Sequence, residues 1–170
     1  MKLTIEIKPD NDLSPERKVA LDRMFQREFG RDTLVYALPR WHTMGILHAS
    51  LVGRVGILDR TISVGQELLR VGGICGVVTA PGYRDRGIAG ALLGESVAFV
   101  KNRLNLPFAL LTCRSKLEVF YQRLGWKTVK GPTVFAQPDG VRTCKGLTMV
   151  MEVGPRLWPE GPIDMRGLPW

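Results

Sequence analysis

The chain's most explicit chemistry lies in one run, Pro81-Gly82-Tyr83-Arg84-Asp85-Arg86-Gly87-Ile88-Ala89-Gly90-Ala91. It follows Gly76-Val77-Val78-Thr79, an apolar stretch with the pattern of a strand. It leads into Ile88, Ala89, Leu92, Leu93, Val97, Val100 and Leu104, spaced by threes and fours as on one face of a helix. A strand, a glycine-bearing turn and a helix start together make an anion site. Glycine lets the backbone approach closely, N–H groups at the helix start lack intrahelical partners, and Arg84 and Arg86 add positive charge. A pyrophosphate suits such a site. The turn has neither the Gly-x-x-x-x-Gly-Lys-Ser/Thr of a Walker loop nor the Gly-x-Gly-x-x-Gly of a dinucleotide fingerprint. An ordinary strand-to-helix turn with surface arginines is the plain alternative.

The elements around it follow from periodicity and punctuation. Residues 2–8 alternate apolar and polar as a strand does, which is not the pattern of a secretion signal and points to the cytoplasm. Ser14-Pro15-Glu16 starts a helix whose apolar stripe is Leu21, Met24, Phe25 and Phe29, and Gly30 stops it. Residues 31–40 read as a loop. Strands are expected over 41–48, 51–64 and 67–79, with a turn at Gly65-Gln66. A helix covers about 86–103 and a short buried strand 108–112. Ser115 is the expected cap of a second helix bearing Leu117, Phe120, Tyr121 and Leu124, ended by Gly125. Strands follow near 126–129, 133–136 and 147–153. The tail, 154–170, is rich in Pro and Gly and is expected to be irregular but docked. This order, β-α-β-β-β-α-β-α-β-β, predicts an α/β (α+β) fold with a mixed sheet flanked by helices, in a single domain spanning 1–170.

Composition narrows the function classes. No apolar run approaches the ~20 residues of a membrane-spanning helix. The cysteines, Cys75, Cys113 and Cys144, are odd in number and none forms a C-x-x-C pair, so reduced thiols and no metal are expected. The 24 basic and 16 acidic side chains give a net charge of +8, which attracts anions, whether nucleic acid or a phosphorylated cofactor. The interleaved aromatic and basic residues of a nucleic-acid platform are absent, which disfavours that partner.

The spacing Arg84-x-x-Gly87-x-Ala89 resembles the acetyl-CoA-binding motif of the GNAT superfamily of N-acetyltransferases, and the order of elements resembles that fold over nearly the whole chain. Phe120-Tyr121-Gln122-Arg123-Leu124-Gly125-Trp126 is similar to the Tyr-x-x-x-Gly-Trp segment of many of its members. Residues 44–170 resemble the aminoglycoside 2′-N-acetyltransferases. More loosely, the same residues resemble the nodulation N-acyltransferases, whose ends also carry a Trp-Pro-x-Gly-x-Ile-Asp string like Trp158–Asp164. The resemblance implies a mostly antiparallel sheet of about seven strands whose central strands splay. It implies acetyl-CoA as cosubstrate, with Val77, Val78 and Thr79 pairing with the pantetheine arm. Arg84, Asp85, Arg86, Gly87, Ile88 and Ala89 would cradle the pyrophosphate, and Thr112 would stand where the strands part. It leaves open a homodimer.

Two departures stand out. The drug acetyltransferases carry an acid where this chain has Cys75, and a second where it has Lys145. A polycationic aminoglycoside is repelled by such a lysine, so a different, small-molecule amine acceptor is expected.

The implied reaction is direct attack of a neutral amine on a thioester, through a tetrahedral oxyanion. It needs orientation, an N–H donor and proton handling. Tyr121 is the candidate acid for the departing thiolate. Cys75 is either a base or acyl carrier, or a small buried apolar group. Nothing beside it in sequence lowers its pKa. His42 and His48 are alternative bases, placed away from the cofactor turn. Asp32 and Trp170, the latter through its carboxylate, are the candidate acceptor-binding residues, with Asp164 a weaker one. The other readings are transfer to a protein-borne or tRNA-borne amine and a non-catalytic module binding acyl-CoA or nucleic acid.

Overall fold

The computed structural model describes residues 2–170. Its strands all join one sheet. The elements in chain order are β1 (Thr4–Pro9), α1 (Pro15–Phe29), β2 (Trp41–Leu47), β3 (Ser50–Val64) and β4 (Glu67–Thr79), then α2 (Ile88–Asn102), β5 (Phe108–Cys113) and α3 (Glu118–Arg123). They end with β6 (Lys127–Thr128), β7 (Thr133–Gln137), β8 (Gly140–Thr143), β9 (Leu147–Glu152) and β10 (Ile163–Asp164).

The order β1-β2-β3-β4-β5-β9-β6 forms the main sheet. The far end of the long β3 carries a second branch, β10-β7-β8. Pairing is antiparallel except at β4–β5 and β10–β7. The β4–β5 pair is parallel because α2 crosses over between them. Its apolar face, with Leu92, Leu93 and Val100 fully buried, packs with Val52, Val55 and Ile74 of the sheet.

The sheet has ten strands rather than about seven. β6 and β7 fall where strands were expected, and the unexpected strands are β8, which makes a hairpin with β7, and β10, a two-residue ladder too short for any periodicity. β10 lies in the tail expected to be irregular, and it ties that tail to β3 and β7. Ser14 caps α1 as expected, accepting from the Arg17 N–H at 3.3 Å. Ser115 does not cap a helix. It opens a 3-10 turn, and α3 starts from Leu117 without a side-chain cap.

Candidate active site

Two local irregularities open the sheet at its centre. The first lies in β4. Arg54 of β3 pairs with Val78 but Gly56 pairs with Cys75, so β4 carries one residue too many between them. Gly76 takes the strain at φ +52°, a left-handed conformation that glycine adopts without penalty. The second is the parting of β4 and β5. They pair only at Gly72–Ala109 and Gly73–Leu110 and then diverge, so the edge of β4 beyond Gly73 has no partner on β5. A cleft of about 1170 Å³ runs through this gap. It is lined by the residues singled out above for catalysis or binding except His48, Asp164 and Arg86; the Arg86 guanidinium lies over the Tyr83 ring at 5.5 Å.

The turn after β4 builds the cleft's anion-binding end. Asp85 (φ +60°) and Gly87 (φ +75°) are both left-handed, the type of turn in which backbone N–H groups gather into an anion-binding concavity. The first intrahelical bond of α2 is donated by Ala91 to Gly87. The N–H groups of Ile88, Ala89 and Gly90 therefore have no helical partner. A Cβ added at Gly87 would meet nothing within 4 Å, so the space in front of this backbone is open to a ligand. Arg84 is engaged with protein. Its Nε donates to the Thr79 carbonyl at 3.3 Å, and its Nη2 pairs with Glu28 of α1 at 3.0 Å. The cradle is thus mainly backbone, with Arg84 bracing it against α1.

At the gap itself stand Thr112 and Tyr121. Tyr121 is 5% exposed, packed edge-on between Phe120 and Trp126, and burial pushes its phenol well above the ordinary value. It keeps its proton at neutral pH. Its helix neighbours Leu117 and Phe120 are each 37% exposed and line the cleft, although their spacing reads as a core face. Cys75 is buried, and desolvation lifts its thiol to about 11 despite the nearby Arg54 guanidinium, so it is uncharged at neutral pH.

The α1 side of the cleft joins segments far apart in sequence. Asp32 accepts from the Leu34 N–H at 3.0 Å and from the Tyr36 hydroxyl, an arrangement that shapes the loop after α1. The Trp170 indole lies buried against Gly73, its N–H donated to the Leu110 carbonyl at 3.2 Å, with Arg60 stacked at 4.9 Å. His42, expected to lie away from the cofactor turn, lines the same cleft and pairs with Asp10 at 3.0 Å. Burial holds its pKa below the ordinary value. His48 sits in the β2–β3 turn, outside the cleft lining. Arg54 was not anticipated at all. It is 4% exposed and forms part of the cleft wall. The signal for it was a lone charge in an otherwise apolar run, Leu51-Val52-Gly53-Arg54-Val55-Gly56-Ile57.

Among the described residues no helix is long and apolar enough to cross a membrane, and no group of side chains is placed to hold a metal ion. A mixed sheet with two parted parallel strands, facing a glycine-led helix start, defines an acyltransferase of the class the resemblance implied. The model of the Acetyltransferase (GNAT) domain matches residues 20–129, and the chain belongs to that family of N-acetyltransferases, whose cosubstrate is acetyl-CoA.

Over 135 residues it is 24% identical to the aminoglycoside 2′-N-acetyltransferase of Mycolicibacterium fortuitum, covering 77% of this chain and 68% of that one. Its fold is similar to that of Escherichia coli ElaA, with a TM-score of 0.68, 17% identity, and 89% and 100% of the two chains covered. It is also similar to the GNAT family N-acetyltransferase YhbS of Escherichia coli, solved in complex with CoA. There the TM-score is 0.63 and the identity 13%, over 96% of this chain and 89% of that one.

Proposed function

We propose that the cleft binds acetyl-CoA along β4 and the start of α2, and that the chain acetylates the amine of a small molecule entering from the α1 side. The observation that carries this reading is the parting of β4 and β5 beyond Gly73 and Leu110. It leaves main-chain groups of β4 free to pair with an extended ligand and aligns them with the backbone cradle at Gly87. The residues fit the cosubstrate. Gly87 faces open space, Asp85 and Gly87 give the turn two left-handed residues, and Leu117 and Phe120 line the same cleft with apolar surface.

Acetyl-CoA supplies the acetyl thioester. The chain's part is orientation and charge management. N–H groups of residues 77–79 that face the gap donate to the oxygen on which negative charge develops. Tyr121, kept protonated by burial, holds a phenolic proton at Oη for the departing sulfur. Cys75 remains a thiol and takes no covalent part, which favours direct attack within one cleft over an acyl-enzyme relay. The amine attacks as the free base, and its surplus proton passes to water in the cleft. His42 lines the acceptor side and burial favours its neutral form, but its Nε2 is engaged by Asp10 and its Nδ1 is sealed.

The test is acetyl-CoA consumption with a panel of primary amines, followed by thiol release, with the N-acetyl product identified by mass. Acceptor-dependent release is expected. Release that ignores the amine would reduce the activity to thioester hydrolysis and overturn the reading.

A further inference from the structure

Arg54 is the feature that this function leaves unexplained. A guanidinium removed from water needs a counter-charge or a full set of acceptors, since an uncompensated buried cation is costly. Arg54 has neither. Nη1 donates to the Leu21 carbonyl at 3.1 Å, and Nε is sealed with no partner. Among the described residues no carboxylate lies within ion-pair distance of it. The face of the Phe25 ring covers one side at 5.4 Å. The other groups that feel its charge are His42, held neutral by burial, the Cys75 thiol, and Asp22 on α1, whose carboxylate accepts instead from Gln26 at 3.4 Å.

The position of this cation is as telling as its isolation. Its Nη2 lies 3.0 Å from where a Cβ would stand on Gly76, the residue that bulges β4 beside the gap. The absence of a side chain at Gly76 leaves the fork room, and Arg54 forms part of the cleft wall on the α1 side. The rim adds Arg114 and Lys145, neither of which forms an ion pair among the described residues. A planar fork of donors that needs an anion, set within the wall of a substrate cleft, matches a carboxylate in charge and shape.

We infer that the acceptor is an amine that also carries a carboxylate, and that Arg54 binds this carboxylate so that the amine a few bonds away lies at the parting of β4 and β5. This deepens the acetyltransferase reading and rests on it. The carboxylate satisfies the guanidinium, and protonation of the departing sulfur is left to Tyr121 at the gap. It also gives the positive charges at Arg54 and Lys145 a common purpose, where a polycationic drug would find none.

The experiment compares glycine, β-alanine, 4-aminobutyrate and a set of larger L-amino acids with their carboxamides, at saturating acetyl-CoA, by thiol release. For at least one pair we expect kcat/KM for the acid to exceed that for the amide by about 100-fold, the scale of losing one partner of a desolvated charge pair. In Arg54→Met that ratio should fall to near unity. In Arg54→Lys, which keeps the charge but loses the fork, it should be intermediate. Calorimetry with the corresponding N-acetyl acids and amides, on the CoA-loaded protein, gives the same comparison without turnover. Equal or better handling of the amides by the unaltered protein, needing no variant to fold, overturns the inference, as does a ratio unchanged in Arg54→Met. Failure of the acetyltransferase reading shows differently, as absence of CoA binding in a separate titration.

Discussion

The two ends of the cleft are built on different principles. The end at β4 and α2 is made of backbone: a bulged strand edge, two left-handed residues, and a helix start whose first bond begins only at Ala91. Its specificity is a matter of chain path, set by glycines within a dozen residues. The end at α1 is made of side chains: Arg54 from β3, His42 from β2, Asp32 and Tyr36 from the loop after α1, and Trp170 from the tail. These meet only because the sheet folds. A superfamily can keep the first end constant for one cofactor while the second is rebuilt for each acceptor.

The largest effect is expected from blocking the backbone end of the cleft. Gly87→Val forces a β-branched side chain into φ +75° and places it in the open space before the helix start. Loss of acetyl-CoA affinity by more than about 100-fold is expected, from a starting value near −8 kcal/mol. The thermal midpoint should fall much less than for a core variant. Calorimetry and a melting curve check both.

Next in size, Tyr121→Phe should lower kcat about 100-fold while acetyl-CoA affinity stays within about 2-fold. A fall in affinity with kcat intact would make Tyr121 a wall of the site and not an acid. The side-chain end predicts poor turnover of tobramycin and gentamicin. A kcat/KM of ~10⁴ M⁻¹s⁻¹ or above would show that Lys145 and Arg54 do not repel polycations.

The smallest effect is expected at Cys75. Cys75→Ala should change kcat by no more than about 3-fold. Its thiol is at about 11 in the fold against an ordinary 9.0, so the folded protein holds that proton more tightly than the unfolded chain does. The stability this represents is whole below about pH 9 and is lost as pH rises from there to about 11, on the order of 2–3 kcal/mol. Cys113 is raised for the same reason and adds to the loss. Urea midpoints at pH 8, 9 and 10 should therefore fall progressively, and less steeply in Cys75→Ala. A flat profile would mean that the thiol is not desolvated.

How much was legible in the sequence follows the same division. The Arg84-x-x-Gly87-x-Ala89 turn, the Ser14 cap and the α2 stripe are local patterns, in which residues a few positions apart determine one another's geometry. The parting of β4 and β5 followed from the resemblance rather than from any spacing. Arg54 was not legible, because its contacts lie 33 residues away at Leu21 and because an arginine in a strand is ordinarily read as facing water. Leu117 and Phe120 misled in the opposite direction. Helical spacing marks them as apolar-facing but cannot say whether they face a core or a cleft. Short ladders such as β10 depend on partners from other parts of the chain and leave no periodicity to detect.

In the proposed complex, main-chain N–H groups of the parted β4 edge and the α2 start hold the cosubstrate. Amide hydrogen exchange with and without acetyl-CoA reads these groups one segment at a time. Slowed exchange is expected at peptides spanning 77–79 and 85–90, with little change in exposed segments outside the cleft, such as the β3–β4 turn at 65–67. Protection that falls elsewhere, or no protection at a saturating concentration, would contradict this mode of binding.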